Sequence, residues 1–109
     1  MTLPAFPFQT IDWQSIPAEV HNGTTGMAWW QIFMMGNIRI RKVRYSANYQ
    51  ADHWCKKGHI ILCMEGSMET TLEDGRIMHM EKGMTYVVGD SNEAHQTYSA
   101  KGCELFIVD

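Results

Sequence analysis

Six glycines cut the second half of this chain into short pieces: Gly58, Gly66, Gly75, Gly83, Gly89 and Gly102 fall six to thirteen residues apart. The runs between them are rich in Ile, Val, Thr and Tyr, whose branched or broad side chains suit a pleated surface, with Met interspersed. Short β-favouring runs with turn signals at regular intervals predict an all-β domain, a sandwich or an antiparallel barrel. No segment carries a sustained helical period, and only Ile11 to Val20 has room for one helical turn.

The first half agrees from Met27 onward. Met27-Ala28-Trp29-Trp30-Gln31-Ile32-Phe33 is aromatic and β-favouring, Gly36-Asn37 is a turn, and Ile38 to Tyr45 sets Ile38 and Ile40 against Arg39 and Arg41. Two strands joined by a short hairpin are expected there. Glu73-Asp74-Gly75-Arg76 is the clearest hairpin, because Asp-Gly supplies the positive φ angles of a tight turn. Residues 1–26 carry all three prolines and read as an N-terminal arm with one short strand; residues 27–109 read as the barrel. At 109 residues a single domain is expected, and one this small gains from closure, oligomerisation or a bound metal.

Charge narrows the partners. The net charge of -3, with both signs mixed along the chain, leaves no basic face to neutralise phosphates and argues against nucleic acid. Arg39, Arg41, Lys42 and Arg44 read as the solvated side of a strand, with anion binding as the alternative. No apolar run approaches the ~20 residues needed to span a bilayer, and Met1 to Pro7 does not resemble a secretory leader, so a soluble cytoplasmic protein without a membrane partner is expected. Three cysteines do not make a secreted disulfide framework, so reduced thiols are expected.

Metal-ligand chemistry concentrates in Asp52-His53-Trp54-Cys55-Lys56-Lys57-Gly58-His59. On a strand, alternate side chains share a face, so His53 and Cys55 would converge from Cα atoms ~6.5 Å apart, with Trp54 facing away. Lys56-Lys57-Gly58 can turn the chain, and the next strand sets His59, Ile61 and Cys63 on one face. His95, after Gly89-Asp90-Ser91-Asn92, is the natural remote ligand. His21 and His79 are expected at the surface or hydrogen-bonded, and Cys63 and Cys103 as small core residues. A Cys-His nucleophilic pair at Cys55 is weaker, since no helix N-terminus or oxyanion-hole signal accompanies it. The methionines read as core filling.

These residues resemble the cupin family, whose first motif is written G-x5-H-x-H-x(3,4)-E-x6-G. With Gly66 as its closing glycine, His59 takes the glutamate position, and His53 and Cys55 take the two histidines. Gly83, Asp90, Asn92 and His95 resemble a degraded second motif. More narrowly, Ala51-Asp52-His53-Trp54-Cys55 with Gly58-His59 is similar to a small group of single-domain cupins named for an Asp-His-Cys-Trp motif, which supplies a fold and no reaction. The resemblance implies a double-stranded β-helix, or jelly roll, with a metal at its mouth on His53, Cys55, His59 and His95, and a homodimer paired through N-terminal strands.

Three imidazoles and a thiolate suit Zn²⁺ or Fe²⁺, admit Ni²⁺ and Cu, and disfavour Mg²⁺ and Ca²⁺. A small-molecule pocket is expected beside the ligands, lined by Trp54, Ile61, Cys63, Tyr86 and Thr97. Iron-dependent oxidation and metal-assisted isomerisation are the candidate chemistries; a non-catalytic sensor or storage module is the alternative. If all four ligands bind a tetrahedral ion, the site is closed; otherwise a position stays open for substrate or dioxygen. Glu65 is expected to be structural.

Overall fold

The computed structural model describes residues 2–109 and holds nine strands. They are β1 (Glu19–Asn22), β2 (Met27–Met35), β3 (Ile38–Tyr45), β4 (Tyr49–Gln50), β5 (His59–Leu72), β6 (Ile77–Glu81), β7 (Thr85–Val88), β8 (His95–Ser99) and β9 (Cys103–Val108). The single turn of helix, Trp13–Ser15, is 3-10 and starts where the Asp12 carboxylate accepts from the Gln14 N–H. Among the described residues no helix is long and apolar enough to cross a membrane.

Every pairing is antiparallel, and the order β1-β2-β3-β9-β5-β8-β4 forms one curled half-barrel. The curl is built into β5. Its first half pairs with β9 and β7, its second half with β6 and β8, so one long strand serves both walls. The change of wall falls at a bulge between Cys63 and Glu65, followed by Gly66 at φ 77°. A Cβ at Gly66 would collide with the Gly102 carbonyl and the Cys103 backbone, so glycine permits both the dihedral and the close approach.

Between the walls lie Val43, Ile61, Cys63, Met68, Met80, Cys103, Leu105 and Ile107, with Trp30, Tyr45 and Tyr86 packed against them. The inward residues on β5, His59, Ile61 and Cys63, keep the alternation read from the sequence. Glu65 does not continue it, because the bulge turns its side chain out to Lys82, 3.0 Å away. The methionines divide: Met68 and Met80 fill core, whereas Met27, Met34, Met78 and Met84 are exposed.

The basic stretch on β3 departs most from expectation. Arg41 is buried, 5% exposed, and not on a solvated face. Arg41, Val43 and Tyr45 share the inward face of β3, and the guanidinium is accommodated because Asp109, just beyond β9, meets it. Asp109 is fixed there by two backbone hydrogen bonds with Arg39, at 2.6 and 2.9 Å.

Candidate metal centre

Cys55, His59 and His95 bring one ligand atom each to within 4.8 Å of the others. His59 opens β5, His95 opens β8, and both are buried. Cys55 lies outside the strands. Its backbone N–H donates to the His95 carbonyl at 2.8 Å and its carbonyl accepts from the His95 N–H at 3.0 Å, which places the two residues opposite each other. The intervening loop is pinned to the turn before β8: the Ser91 N–H donates to the Lys56 carbonyl at 2.7 Å, and the Gly58 N–H to the Asp90 carboxylate at 2.7 Å.

The two histidines present the same nitrogen to the cluster. His59 Nδ1 lies 2.7 Å from Asp109 Oδ2, and His95 Nδ1 lies 2.9 Å from the Glu93 carbonyl oxygen. Both oxygens can only accept, so each Nδ1 carries the proton and a neutral ring keeps its lone pair at Nε2. Nε2 of His59 lies 3.2 Å from Cys55 Sγ. Nε2 of His95 is buried and makes no hydrogen bond among the described residues. Tying off one ring nitrogen so that the other is free and aimed is how proteins orient metal-binding histidines.

Charge within the cluster favours ligation. The imidazoles of His59 and His95 hold the Cys55 thiol down at about 5, against the burial that would raise it. Burial pulls His59 down, but Asp109 and Cys55 outweigh it and raise the imidazole; Cys55 in turn raises His95. Burial pushes the Asp109 carboxyl up, yet hydrogen bonds from His59 and Arg39 and the charge of Arg41 hold it well below the usual carboxylate range. A thiolate and two imidazoles form a nitrogen–sulfur donor set suited to Zn²⁺ or Fe²⁺.

His53 stands apart from this trio. Ala51 to Trp54 bends instead of forming a strand, so the alternation that would pair His53 with Cys55 does not operate. The His53 ring is 68% exposed and its Nδ1 lies 2.6 Å from the Asp52 carboxylate. It reaches the rim of a cavity of about 290 Å³ that the trio also lines. Ile61, Tyr86 and Thr97 line this cavity. Trp54 and Cys63 do not: Trp54 sits on the exposed bend, and Cys63 points inward at a depth that is already closed core, its sulfur 3.5 Å from the Glu65 carbonyl.

Asp109 and Trp30 have no site role in the sequence reading, and Arg41 enters it only on a solvated strand face with anion binding as the alternative. Asp109 has a fully buried side chain that holds Arg39 Nε and Arg41 Nη2, both at 2.9 Å, besides His59. Arg41 lies over the Trp30 ring, 4.6 Å from its centroid, and both line the cavity. A signal for Arg41 existed, since apolar character on β3 moves from the even positions Ile38 and Ile40 to the odd positions Val43 and Tyr45.

No family model matches the chain, and no curated protein matches it. Solved structures do. A predicted oxalate decarboxylase from Thermotoga maritima superposes with a TM-score of 0.77 at 13% identity, over 92% of this chain and 96% of that one. Ectoine synthase from P. lautus gives 0.75 at 14% identity, over 93% and 76%. An RmlC-like cupin from Shewanella frigidimarina gives 0.73 at 15% identity, over 94% and 89%. At these identities the likeness speaks for architecture, and with the curled antiparallel walls described above it shows that the chain has the cupin fold.

Proposed function

We propose that this chain is a metal-dependent cupin that binds a small molecule, with Cys55, His59 and His95 holding a divalent transition ion, zinc or iron ahead of nickel or copper, in the wall of the cavity. The observation that carries this reading is the buried, unpartnered Nε2 of His95. Leaving such a group unsatisfied costs about 1–3 kcal/mol, and a cation shared with Cys55 and His59 would satisfy it.

Three protein ligands leave a tetrahedral ion one position for an outside molecule. A bound zinc or iron would supply Lewis-acid polarisation of an oxygen on that molecule, and iron would add dioxygen chemistry, which keeps isomerisation and oxidation as the candidate reactions. The protein's own contribution is orientation and proton handling. Burial pushes the Tyr86 phenol well up, so it faces the cavity as a neutral donor. Among the described residues no carboxylate lines the cavity, which leaves His53, its Nδ1 tied to Asp52 so that Nε2 carries the lone pair, as the side chain placed at the rim to take a proton from a bound molecule. The enzyme names of two fold neighbours support a catalytic role over storage.

Elemental analysis of untagged protein tests this. About one ion per chain is expected, lost in Cys55→Ala, His59→Ala and His95→Ala and kept in His53→Ala. Loss in His53→Ala too would mean a closed four-ligand site and favour the sensor or storage reading. Retention in all four variants means that the ion is held elsewhere and removes this metal site. β1 has one neighbour in the sheet, and its free edge supports the pairing of two copies; light scattering that finds monomers at micromolar concentration removes that proposal.

A further inference from the structure

A second cavity, of about 270 Å³, shares Tyr86 and His95 with the one beside the cluster and is otherwise lined by different residues. It lies where the barrel wall is interrupted. β6 and β7 follow each other in the chain and both pair with β5, but among the described residues they do not pair with each other.

The methionines show which way this gap opens. Met78 stands opposite Thr70 and Met80 opposite Met68, and residues directly opposite on paired strands share a face. Thr70 and Met68 are buried, so Met78 and Met80 both point into the barrel. Met80 is covered there, whereas Met78 is 47% exposed on the same inward face. Met84, in the turn into β7, is equally exposed, and its sulfur accepts from the Glu81 N–H at 3.4 Å. Two long apolar side chains thus stand half in water at an opening that leads to Thr70, Leu72, Met80 and Tyr86. Apolar groups gathered at the mouth of a largely apolar cavity are the mark of a ligand site.

Charge and size select the occupant. At the rim, Arg76 bonds to Asp74 at 2.8 Å and to Glu93 at 2.5 Å, and His79 lies 3.5 Å from Glu69. Each charged group there already has a protein partner, which leaves none to draw in an ion. A protein surface would have to strip water from Arg76, His79 and Glu93 to reach the methionines, whereas a small molecule passes between them. Unbranched thioether side chains adapt to whatever hydrocarbon enters. The volume lies at the low end for a ligand pocket, with room for one small molecule.

We propose that this second cavity binds a small uncharged apolar molecule, its hydrocarbon packed against Leu72, Met78, Met80 and Met84. The proposal does not rest on the metal reading.

NMR of protein labelled at the methionine methyl carbons, titrated with hexanol, tests this. The Met78, Met80 and Met84 signals should follow one saturable curve with a midpoint at low millimolar concentration or below, while those of the exposed Met27 and Met34 on β2 stay fixed. Sorbitol, with the same number of carbons and a hydroxyl on each, should bind at least about tenfold more weakly. Hexanoate should bind no tighter than hexanol, since Arg76 is already paired. Met78→Gln and Met84→Gln change half-exposed side chains, and each should weaken hexanol about threefold or more with zinc affinity unchanged; either serves if the other fails to fold. Cys55→Ala should bind hexanol like wild type. No saturable shift up to the solubility limit, equal shifts at Met27 and Met34, equal binding of sorbitol, tighter binding of hexanoate, or undiminished binding in the folded variants overturns the proposal. Loss of hexanol binding in Cys55→Ala also overturns it, by assigning the molecule to the cavity beside the cluster. So does movement of the Met78 and Met84 signals with protein concentration alone, which would mean that a second copy covers the opening.

Discussion

His59 Nδ1 lies 2.7 Å from Asp109 Oδ2, across fifty residues of chain, and the same oxygen receives Arg41 Nη2 at 2.9 Å. One buried carboxylate therefore fixes the tautomer of a proposed metal ligand and compensates the innermost base of the cavity. Asp109→Asn should lower zinc affinity about 10- to 100-fold, measured by competition with a chelator, because the His59 ring loses its charged orienting partner. It should also cost about 3–5 kcal/mol of stability at neutral pH, since two guanidiniums lose their counter-charge. The folded-state carboxyl sits below its unfolded value, so this stabilisation is present above about pH 3.9 and lost as pH falls towards the lower folded value. Urea midpoints of wild type and variant should therefore converge in acid; a constant gap would refute the assignment.

The metal-free protein should have one reactive cysteine. Cys55 is half-buried with a thiol held at about 5 by His59 and His95, whereas burial raises Cys63 and pushes Cys103 up to about 12. At pH 6 the thiolate fraction of Cys55 is roughly 300-fold that of a free cysteine, but a weakly basic thiolate is a poorer nucleophile, and the net gain is roughly tenfold. Mass spectrometry after brief alkylation should find Cys55 modified alone, at a rate almost flat above pH 6, and protected by zinc. A rate that keeps climbing to pH 9 would show that the imidazoles do not stabilise the thiolate.

The cupin walls were readable because alternation and turn chemistry are local. The Glu73–Arg76 hairpin joins β5 to β6, and the inward parity of His59, Ile61 and Cys63 survives intact. What failed depended on interruptions of that local rule or on distant partners. The bend at Ala51–Trp54 removed the parity of His53 with Cys55. Arg41 read as solvated because its justification, Asp109, is 68 residues away and becomes a neighbour only when β9 pairs with β3. Cys55 reached the cluster by a route the strand argument did not contain, an isolated bridge to His95.

Gly66→Ala should destabilise the fold by about 2 kcal/mol or more. A non-glycine residue at φ 77° costs about 1–3 kcal/mol, and its Cβ would also press on the Gly102 and Cys103 backbone. The folded fraction should still bind zinc with wild-type affinity, because the bulge lies a full wall away from the ligand end of β5. Thermal unfolding with and without zinc reads both quantities, and an unchanged melting temperature would contradict the account of the bend.

Gly58→Ala should do the reverse. Its φ is not in the left-handed region, so the dihedral is not the constraint; a Cβ there would sit 2.7 Å from the Asp90 nitrogen and 2.9 Å from the Gly89 carbonyl carbon. The two loops would have to part, breaking the Gly58 N–H bond to the Asp90 carboxylate and the Ser91 bond to Lys56 that set the distance from Cys55 to His59. Zinc affinity should fall about tenfold, as when an orienting contact behind a ligand is removed. The loss of stability should stay near 1 kcal/mol, since no core side chain moves. Chelator competition on the folded variant decides it: wild-type affinity would mean that the loop closes on the ion without this contact, and that the 3.2 Å approach of Cys55 to His59 is set by the Cys55–His95 bridge alone.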